Sequence, residues 1–452
     1  MNVSYIDELR SLLGSSATII DDPSILPSYA KDQSQIADWA LPACVLIART
    51  TEEISIAVKF AGERGIPIVP RGAGSGLAGG ANSLRGALVI SLEKMNQILD
   101  IDRENLIARV QPGVINSELD ARAADVGLAY LPDPASREWS TIGGNVATNA
   151  GGMCCIKYGV TSHHVRALTA VIGDGSVISV GHSVKKYVTG LDLLHLFIGS
   201  EGTLGIVTEV TVSLVPRPRP PITMIATFAD VASAAEIVPQ LVALQPSMLE
   251  IIDRTTIEAV ENWKPLGFDS VGAALIMQSD NGIDICEKAS IIASNSGAID
   301  ATFSDDPRDS ADLLALRKLA YPALERLGAA LLDDVCVPIT AIAKLVTRVE
   351  EISRTHQLLI GIFGHAGDGN MHPTIVYQHN DASSEKRARA AFLEIIEAAQ
   401  SLGGTASGEH GIGSIKRGSA LSEYGVKIST IQRSIKAIFD PHGIMNPGKK
   451  LN

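Results

Sequence analysis

The 452-residue sequence is poor in cysteine, in aromatic residues and in positive charge. Its five cysteines, an odd number without metal-ligand spacing, argue against a disulfide scaffold or a zinc ribbon and indicate free thiols. Its 50 acidic against 38 basic residues give a net charge of −12, which argues against a nucleic-acid partner because such proteins carry a basic face. No apolar run approaches the roughly 18 residues of a transmembrane helix. The N-terminal stretch has acidic residues in a short amphipathic pattern, unlike a signal peptide, so we expect a cytoplasmic protein.

Glycine and hydrophobic residues are abundant instead, with 41 glycines and a hydrophobic fraction of 46%. This composition is typical of a compact, loop-rich globular protein. The chain is longer than one hydrophobic core usually supports, so two or more domains are expected. A proline–arginine run at 216–221 predicts the first boundary. The first domain is therefore expected to span residues 1–215.

Short β-rich runs alternate with one clear helix before this boundary. Residues 44–50 are predicted as a strand, 50–65 as a helix with a threonine cap and early glutamates, and 66–70 as the next strand. Beyond the boundary, strand–helix–strand units predict an α/β sandwich with antiparallel pairing. Long helices are predicted at 309–329 and 338–356.

A glycine-rich loop follows the strand at 66–70. Gly74, Gly76 and Gly79 match G-x-G-x-x-G, the fingerprint of a dinucleotide-binding crossover. Only residues 80–86 separate the last of these glycines from the next strand, and they are too few and too rich in poor helix formers for a crossover helix. The loop is therefore expected to bind an anion through backbone N–H groups, without a helix dipole.

Two further glycine-rich segments, at 140–152 and 198–210, would let a polar ligand approach the backbone closely. Three such loops predict one long, phosphate-bearing ligand lying across a sheet edge. The motifs PRGAGSGLAGG (70–80), LPDPASREWSTIGGNVATNAGG (131–152) and GSEGTLGIVTEV (199–210) closely resemble the FAD-binding domain of the vanillyl-alcohol oxidase/PCMH flavoprotein superfamily.

With two C-terminal motifs, GHAGDGNMH (364–372) and SGEHG (407–411), nearly the whole chain resembles the FAD-linked 2-hydroxyacid dehydrogenases. That family includes the glycolate oxidase catalytic (D) subunit, D-lactate dehydrogenase and D-2-hydroxyglutarate dehydrogenase. The resemblance implies an α+β fold with a PCMH-type FAD-binding domain at 1–215, a ferredoxin-like α/β cap domain at 216–400 that carries the metal histidines, and a C-terminal helical segment at 401–452 that returns to the FAD domain. It implies non-covalent FAD, because Ser75 stands where some superfamily members carry a flavin-linked histidine.

The same resemblance assigns the FAD contacts. The first loop would hold the pyrophosphate, the middle segments would lie along the flavin and ribityl chain, the third loop would lie along the adenosine side, and an asparagine near the C-terminus would lie near the isoalloxazine. The implied contacts are Pro70, Arg71, Gly72, Ala73, Gly74, Ser75, Gly76, Pro132, Asp133, Thr141, Gly143, Gly144, Asn145, Gly151, Gly152, Glu201, Gly202, Ile206, Val207 and Asn446.

Two histidines bracket the turn within residues 364–372. On a straight strand, His365 and His372 would point to opposite faces, but the GDGN turn between them could re-aim the second imidazole. Glu409 could complete a His–His–carboxylate set with open positions. The resemblance implies that these three residues bind a divalent metal (Zn, Mn or Fe) and that His410 is the catalytic base.

The implied substrate is a small 2-hydroxy acid. A metal that chelates its hydroxyl and carboxylate would ease loss of the hydroxyl proton to His410, and the Cα hydride would pass to flavin N5. Arg317 matches the family's substrate arginine, and Tyr321, one turn later, would face the same pocket. Leu332 and Thr374 stand where the 2-hydroxyglutarate enzymes carry a lysine and an asparagine. This difference favours glycolate or D-lactate, with a larger apolar 2-hydroxy acid still open.

The sequence leaves other functions open. A D-2-hydroxyglutarate-type enzyme would share the metal residues, whereas a non-catalytic FAD-binding subunit of a glycolate-oxidising complex or an NADPH-linked reductase would not need them. The electron acceptor is open among oxygen, a quinone, a cytochrome and another flavoprotein. The partners are open as well: an iron–sulfur subunit, a homodimer or a hetero-complex, in the cytoplasm or at the inner face of the membrane.

Overall fold

The computed structural model describes residues 4–15, 17–268 and 270–451. Its strands are β1 (Thr18–Ile20), β2 (Cys44–Ile47), β3 (Ile68–Arg71), β4 (Leu88–Ser91), β5 (Ile98–Asp102), β6 (Ile107–Val110), β7 (Leu128–Ala129), β8 (Val165–Ile172), β9 (Val177–Gly181), β10 (Gly205–Ser213), β11 (Val215–Pro216), β12 (Ile222–Phe228), β13 (Met248–Asp253), β14 (Ala273–Ser279), β15 (Asp300–Ser304), β16 (Ala329–Leu332), β17 (Val335–Cys336), β18 (Leu359–His365) and β19 (Asn370–Tyr377). Its helices are α1 (Ser4–Leu13), α2 (Thr51–Arg64), α3 (Asn116–Ala124), α4 (Ile142–Thr148), α5 (Cys155–Tyr158), α6 (Thr161–His164), α7 (Leu194–Phe197), α8 (Val231–Glu236), α9 (Val238–Val242), α10 (Arg254–Trp263), α11 (Ile283–Asn295), α12 (Pro307–Leu313), α13 (Ala315–Glu325), α14 (Ile342–His356), α15 (Ala382–Ser401) and α16 (Arg417–Phe439).

The chain divides into two compact units. The first comprises Met1–Gly151, Val160–Arg217 and His410–Asn452, and the second comprises Gly152–Gly159 and Pro218–Glu409. The main division thus falls inside the proline–arginine run, between Arg217 and Pro218. Residues 401–409 belong to the second unit.

The first unit is built around a mixed sheet with the strand order β1-β2-β4-β3. The helix predicted at 50–65 is confirmed as α2, which connects β2 to β3. Thr50 Oγ1 accepts the N–H of Glu53 at 3.1 Å, and Gly65 ends the helix with a φ of 62°. The segment 72–87, between β3 and β4, contains no helix, although the two strands pair in parallel. The glycine loop therefore has no crossover helix, as predicted.

A second sheet of this unit has the order β5-β6-β10-β8-β9 and is antiparallel throughout. Helices α3 and α4 pack on it through an apolar cluster that includes Leu119, Val146, Leu168 and Val210. Burying such side chains contributes roughly 1.5–3 kcal/mol each, which fixes the loops at the ends of these elements. The mixed helix and sheet content agrees with the predicted α+β class.

The second unit contains one large antiparallel sheet with the order β15-β12-β14-β13-β18-β19-β16, and β17 also pairs with β19. Helices α10 and α13 share an apolar cluster with this sheet, including Ile257, Val260, Leu316, Ala320 and Phe363. Strand–helix–strand units with antiparallel pairing are confirmed here. The strand order makes β13 a neighbour of β18, although about a hundred residues separate them in the chain.

Two helix predictions in this unit need correction. The single helix predicted at 309–329 is two helices, α12 and α13, the second of which ends at Glu325. Residue Ala329, the last of the predicted helix, instead begins β16, which pairs with β19. The helix predicted at 338–356 begins only at Ile342, after a 3₁₀ turn at Ile339–Ala341. Across the described ranges, no helix is long and apolar enough to cross a bilayer.

The segment Gly152–Gly159 is held within the second unit by a charged residue after β14. Lys157 Nζ and Tyr158 OH both donate to the carboxylate of Asp280. Ile156 packs against Gly367, where a side chain would collide with it. The sequence carried no signal for this excursion, because each contact joins residues far apart in the chain.

Candidate active site

A β-hairpin brings the two predicted metal histidines together. Strands β18 and β19 pair so that His365 lies opposite Asn370 and Phe363 lies opposite His372. Directly opposed residues, and residues two apart on one strand, share a face of a sheet. His365 and His372 are therefore diagonal neighbours on one face, because the turn at 366–369 reverses the chain between them. The turn resolves the odd spacing as the sequence predicted.

Glu409 completes a tight triangle of ligand atoms. Its Oε1 lies 3.3 Å from His365 Nε2 and 3.3 Å from His372 Nε2, and the two Nε2 atoms are 3.3 Å apart. Ligands about 2.0–2.1 Å from a tetrahedral ion lie about 3.3 Å from each other, so this spacing fits a common metal ion. Both histidines are buried, and the Glu409 side chain is 14% exposed. The donor set, two imidazoles and one carboxylate, suits Zn, Mn or Fe.

A second buried carboxylate, Asp334, holds the backbone that presents Glu409. Its Oδ2 accepts the N–H of Glu409 at 3.1 Å and the hydroxyl of Ser407 at 2.6 Å. Its Oδ1 accepts Asn370 Nδ2 at 2.7 Å. At Gly408 a side chain would collide with Asn370, so only glycine fits between these residues. The loop that carries Glu409 is thereby tied to the metal hairpin.

The charges at the ligand triangle favour a cation. Burial raises the pKa of Glu409, but His365 and His372 outweigh it and hold this pKa well below its usual range, so the carboxylate is ionised as a metal ligand must be. Burial lowers the pKa of His365, but the carboxylates of Glu250 and Glu409 outweigh it and raise this pKa well above its usual range. Positive charge is therefore stabilised between the two carboxylates.

Arg317 and His365 are bound to the same buried glutamate. Glu250 Oε1 lies 2.6 Å from His365 Nδ1, and its Oε2 accepts the N–H of Arg317 Nε at 2.5 Å. The guanidinium also lies over the Phe363 ring, 4.7 Å from its centroid. Within the described residues, Nη1 and Nη2 of Arg317 make no hydrogen bond, so the fork remains available to an anion.

The residues predicted to set substrate size lie in the same unit. Leu332 pairs directly with Thr374 across β16 and β19, and Thr374 Oγ1 donates to the carbonyl of His372 at 3.3 Å. Tyr321 and Leu332 each pack against the apolar cluster that includes α10 and α13. Its hydroxyl donates to Glu325 Oε1 at 3.5 Å, and burial raises the pKa of Tyr321 to about 12. At ordinary pH the Tyr321 hydroxyl is therefore protonated.

The predicted pyrophosphate loop lies against the predicted flavin segment in the first unit. A side chain at Gly72 would collide with Thr141 Oγ1, and one at Gly74, which has a φ of 75°, would collide with the guanidinium of Arg71. Arg71 is buried, and its Nη1 makes no hydrogen bond within the described residues. A buried cationic donor beneath a glycine loop fits the diphosphate of FAD.

Two asparagines carry further buried polar atoms. Asn145 Nδ2 and Asn446 Oδ1 are buried and make no hydrogen bond within the described residues, so each can serve a polar ligand. Asn446 Nδ2 donates to the carbonyls of Gly80 at 2.9 Å and Glu201 at 2.7 Å. The Glu201 carboxylate accepts the N–H of Ile412 at 2.8 Å. That side chain therefore fixes the C-terminal segment that begins at His410.

The remaining predicted cofactor residues divide between the two units. In the second unit lies Gly152. In the first unit lie Pro70, Ala73, Ser75, Gly76, Pro132, Asp133, Gly143, Gly144, Gly151, Gly202, Ile206 and Val207. The side chains of Ile206 and Val207 are buried in hydrophobic cores, so only their backbone groups are left to contact a ligand. His410, the predicted base, is half-buried and directly follows Glu409 as the first residue of the C-terminal part of the first unit.

The sequence matches known proteins over almost its entire length. A family model of FAD linked oxidases, C-terminal domain, matches residues 217–450, and a model of an FAD binding domain matches residues 42–181. The chain belongs to the FAD-linked oxidases. An FAD-linked oxidase is an oxidoreductase, and FAD is the cofactor supported by the matching binding domain. The predicted family and the predicted FAD are confirmed.

Relatives of this FAD-linked oxidase carry names that agree with the predicted resemblance. The glycolate oxidase subunit GlcD of Bacillus subtilis is 40% identical over 420 residues, which cover 91% of this chain and 89% of the relative. The D-lactate dehydrogenase of Anaerostipes hadrus is 38% identical over 438 residues, which cover 93% and 92%.

Solved structures confirm the fold of this FAD-linked oxidase. p-Cresol methylhydroxylase superimposes with a TM-score of 0.82 at 19% identity and covers 99% of this chain and 96% of that one. 4-Ethylphenol oxidase from Gulosibacter chungangensis gives a TM-score of 0.78 at 20% identity, with 100% and 98% covered. The PCMH-type fold is therefore confirmed.

Sequence reasoning missed Glu250 and Asp334. A glutamate inside the apolar strand run MLEIID, at 248–253, is a weak signal, because a buried carboxylate requires partners. The same holds for the paired aspartates that follow β16. Neither signal names the partner, which depends on strand order.

Proposed function

We propose that this FAD-linked oxidase oxidises a small 2-hydroxy monocarboxylic acid, of the glycolate or D-lactate type, to the 2-oxo acid. The observation that carries this proposal is the triangle of ligand atoms of His365, His372 and Glu409, 3.3 Å on each side, beside Arg317. The two residues Arg317 and His365 share one buried carboxylate. A metal ligand set and a carboxylate-binding cation in one place suit a substrate that carries both a hydroxyl and a carboxylate.

Arg317 would hold the substrate carboxylate. A guanidinium matches a carboxylate with two parallel N–H donors, and Nη1 and Nη2 are the donors that Glu250 leaves available. This grip would fix the acid end of the substrate and thereby the direction of its 2-hydroxyl. Holding a reactant in one orientation is itself a large share of catalysis.

His365, His372 and Glu409 would hold a divalent metal, which, when bound, supplies a Lewis acid that lowers the pKa of the substrate hydroxyl. His410 would accept that proton, since an imidazole can take up and release a proton near neutral pH. FAD, when bound, supplies the acceptor for the hydrogen and two electrons that leave the substrate carbon. Loss of the O–H proton and the C–H hydride converts the alcohol to a ketone or aldehyde, which balances the reaction.

The size and charge of the substrate follow from Leu332 and Thr374. Leu332 is apolar and packs against the apolar cluster of the second unit, and the Thr374 hydroxyl is already bound to a backbone carbonyl. Neither side chain offers a charge to a second carboxylate, and a buried anion without a partner is costly. We therefore favour a monocarboxylate over 2-hydroxyglutarate.

The electrons would leave the flavin for a quinone, a cytochrome or another flavoprotein. The name of the Bacillus subtilis relative, a glycolate oxidase subunit, supports a multi-subunit assembly, for which we propose an iron–sulfur partner or a second copy of this chain.

A substrate panel tests the proposal. Oxidised flavin in the purified protein should be bleached anaerobically by glycolate or by one lactate enantiomer, and more weakly by 2-hydroxyglutarate. The variant His410→Ala should keep its flavin and its metal content but react far more slowly. A panel of both enantiomers in which no acid bleaches the flavin would rule out the proposed activity and leave a non-catalytic FAD subunit.

A further inference from the structure

Glu250 is a charged residue inside an apolar sheet. It lies in the middle of β13, where every residue is buried, and its own side chain is 0% exposed. Burying an ionised carboxylate costs several kcal/mol unless close partners offset it. Its register opposite His365 puts both side chains on the same face of the sheet. The Glu250 side chain therefore lies beside His365 in the β18–β19 hairpin, which carries two of the three predicted metal ligands.

We propose that Glu250 is a positioning residue that sets the metal ligand His365 and the substrate cation Arg317 with one carboxylate. This inference rests on the proposed function. A carboxylate only accepts hydrogen bonds, so Glu250 Oε1, 2.6 Å from His365 Nδ1, keeps the proton on that nitrogen. The lone pair of neutral His365 then lies on Nε2, the atom that faces His372 and Glu409.

The second carboxylate oxygen of Glu250 orients the guanidinium of Arg317 in the same way. Oε2 binds Nε of Arg317 and so fixes the plane of the fork, with Nη1 and Nη2 directed elsewhere. The stacking of Arg317 on the Phe363 ring supports the same orientation. One rigid carboxylate therefore determines the distance between the place of the metal and the place of the substrate carboxylate. An α-hydroxy acid bound at both must have its hydroxyl and carboxylate at that distance.

The variant Glu250→Gln tests the shared acceptor. A glutamine of the same shape has a single acceptor oxygen, so it can serve His365 or Arg317 but not both. We expect the dissociation constant of zinc, titrated into chelator-treated protein, to rise about 10- to 100-fold. At saturating zinc, KM for glycolate should still be raised about tenfold, because the guanidinium of Arg317 is no longer held by a second carboxylate oxygen. The value of kcat should change less.

The control is Glu261→Gln in the same unit. Glu261 is also a buried glutamate, but its carboxylate accepts the backbone N–H groups of Leu266 and Phe268. This control should bind zinc and glycolate as the wild type does. A change of the same size in both variants would show a general loss of packing and overturn the positioning role.

A double variant gives a directional test. In Glu250→Gln with Arg317→Met, no guanidinium competes with His365 for the amide oxygen. Zinc should therefore bind more tightly than to Glu250→Gln alone, whereas KM for glycolate should stay high. This variant has no unpaired buried charge, so it should fold even if Glu250→Gln does not. A second double variant, Glu250→Ala with Arg317→Met, has no acceptor for His365. It should bind zinc about tenfold more weakly than Glu250→Gln with Arg317→Met. Equal zinc affinity in these two neutral variants would refute the proposal.

The wild type separates this inference from the proposed function. If the wild type binds no zinc, or if His365→Asn binds it equally well, the proposed metal site is wrong. If the wild type binds zinc through His365 and Glu250→Gln matches the wild type in zinc affinity and in KM, only the positioning role fails.

Discussion

Replacing Arg317 by lysine should weaken substrate use with little loss of folding. The side chain is 14% exposed, its Nε is bound to the fully buried Glu250, and its two terminal nitrogens bind no other described residue, which leaves them for a carboxylate. Lysine keeps the charge, so Glu250 retains an ion-pair partner, but an ammonium cannot grip Glu250 and a substrate with a fixed fork. Arg317→Met is the harsher change, because removing one partner of a buried ion pair costs about 3–5 kcal/mol.

The size of the expected effect follows from the hydrogen bonds lost. A charge-assisted hydrogen bond contributes about 1.5–3 kcal/mol, so losing one should lower kcat/KM about 10- to 150-fold. Steady-state oxidation of glycolate and D-lactate with an artificial electron-accepting dye measures this ratio. The matched control is Arg308→Lys, an exposed arginine on α12, which should leave the ratio unchanged. A kcat/KM of Arg317→Lys within about threefold of the wild type would contradict the assigned role.

Three further predictions address the substrate, the cofactor and the pH dependence of stability. The double change Leu332→Lys with Thr374→Asn supplies a cation and an amide, so kcat/KM for D-2-hydroxyglutarate relative to glycolate should rise at least about tenfold in a competition assay. Arg71→Met removes the buried cation beneath the glycine loop, so the flavin-to-protein absorbance ratio of the purified protein should fall; an unchanged ratio would contradict that contact. Burial raises the pKa of Asp253 to about 6, so the folded state binds this proton more tightly than the unfolded state, and stability falls as pH rises from about 4 to 6, by about 3 kcal/mol. Asp253→Asn keeps the cap on the Thr256 N–H and should abolish this fall, measured as the denaturant midpoint against pH.

Local features were predictable because their causes are local. The helix α2 has its cap, its early glutamates and its terminal glycine within one stretch of sequence, and its bounds agree with the prediction within a residue or so. The turn at 366–369 was likewise predictable from its glycines and aspartate. The histidine pair then follows from hairpin geometry, once the two strands are known to be adjacent.

Features that depend on strand order were not predictable. Glu250 meets His365 because β13 pairs with β18, and Asp334 meets Glu409 because the chain returns there after α15. The segment at 152–159 joins the second unit through Asp280, which lies more than a hundred residues further along the chain. A propensity or a motif describes what a residue prefers, whereas these contacts depend on which distant elements become neighbours.

The most direct test of the proposed function combines a substrate with a chelator. Flavin absorbance is followed anaerobically after addition of glycolate or D-lactate, first to the purified protein, then to chelator-treated protein, and finally after zinc or manganese is restored. The ligand triangle predicts rapid bleaching, its loss on chelation and its return with metal, and it predicts that Glu409→Gln stays slow throughout. Bleaching at the same rate after complete removal of metal, or in Glu409→Gln, would contradict a catalytic role for the site.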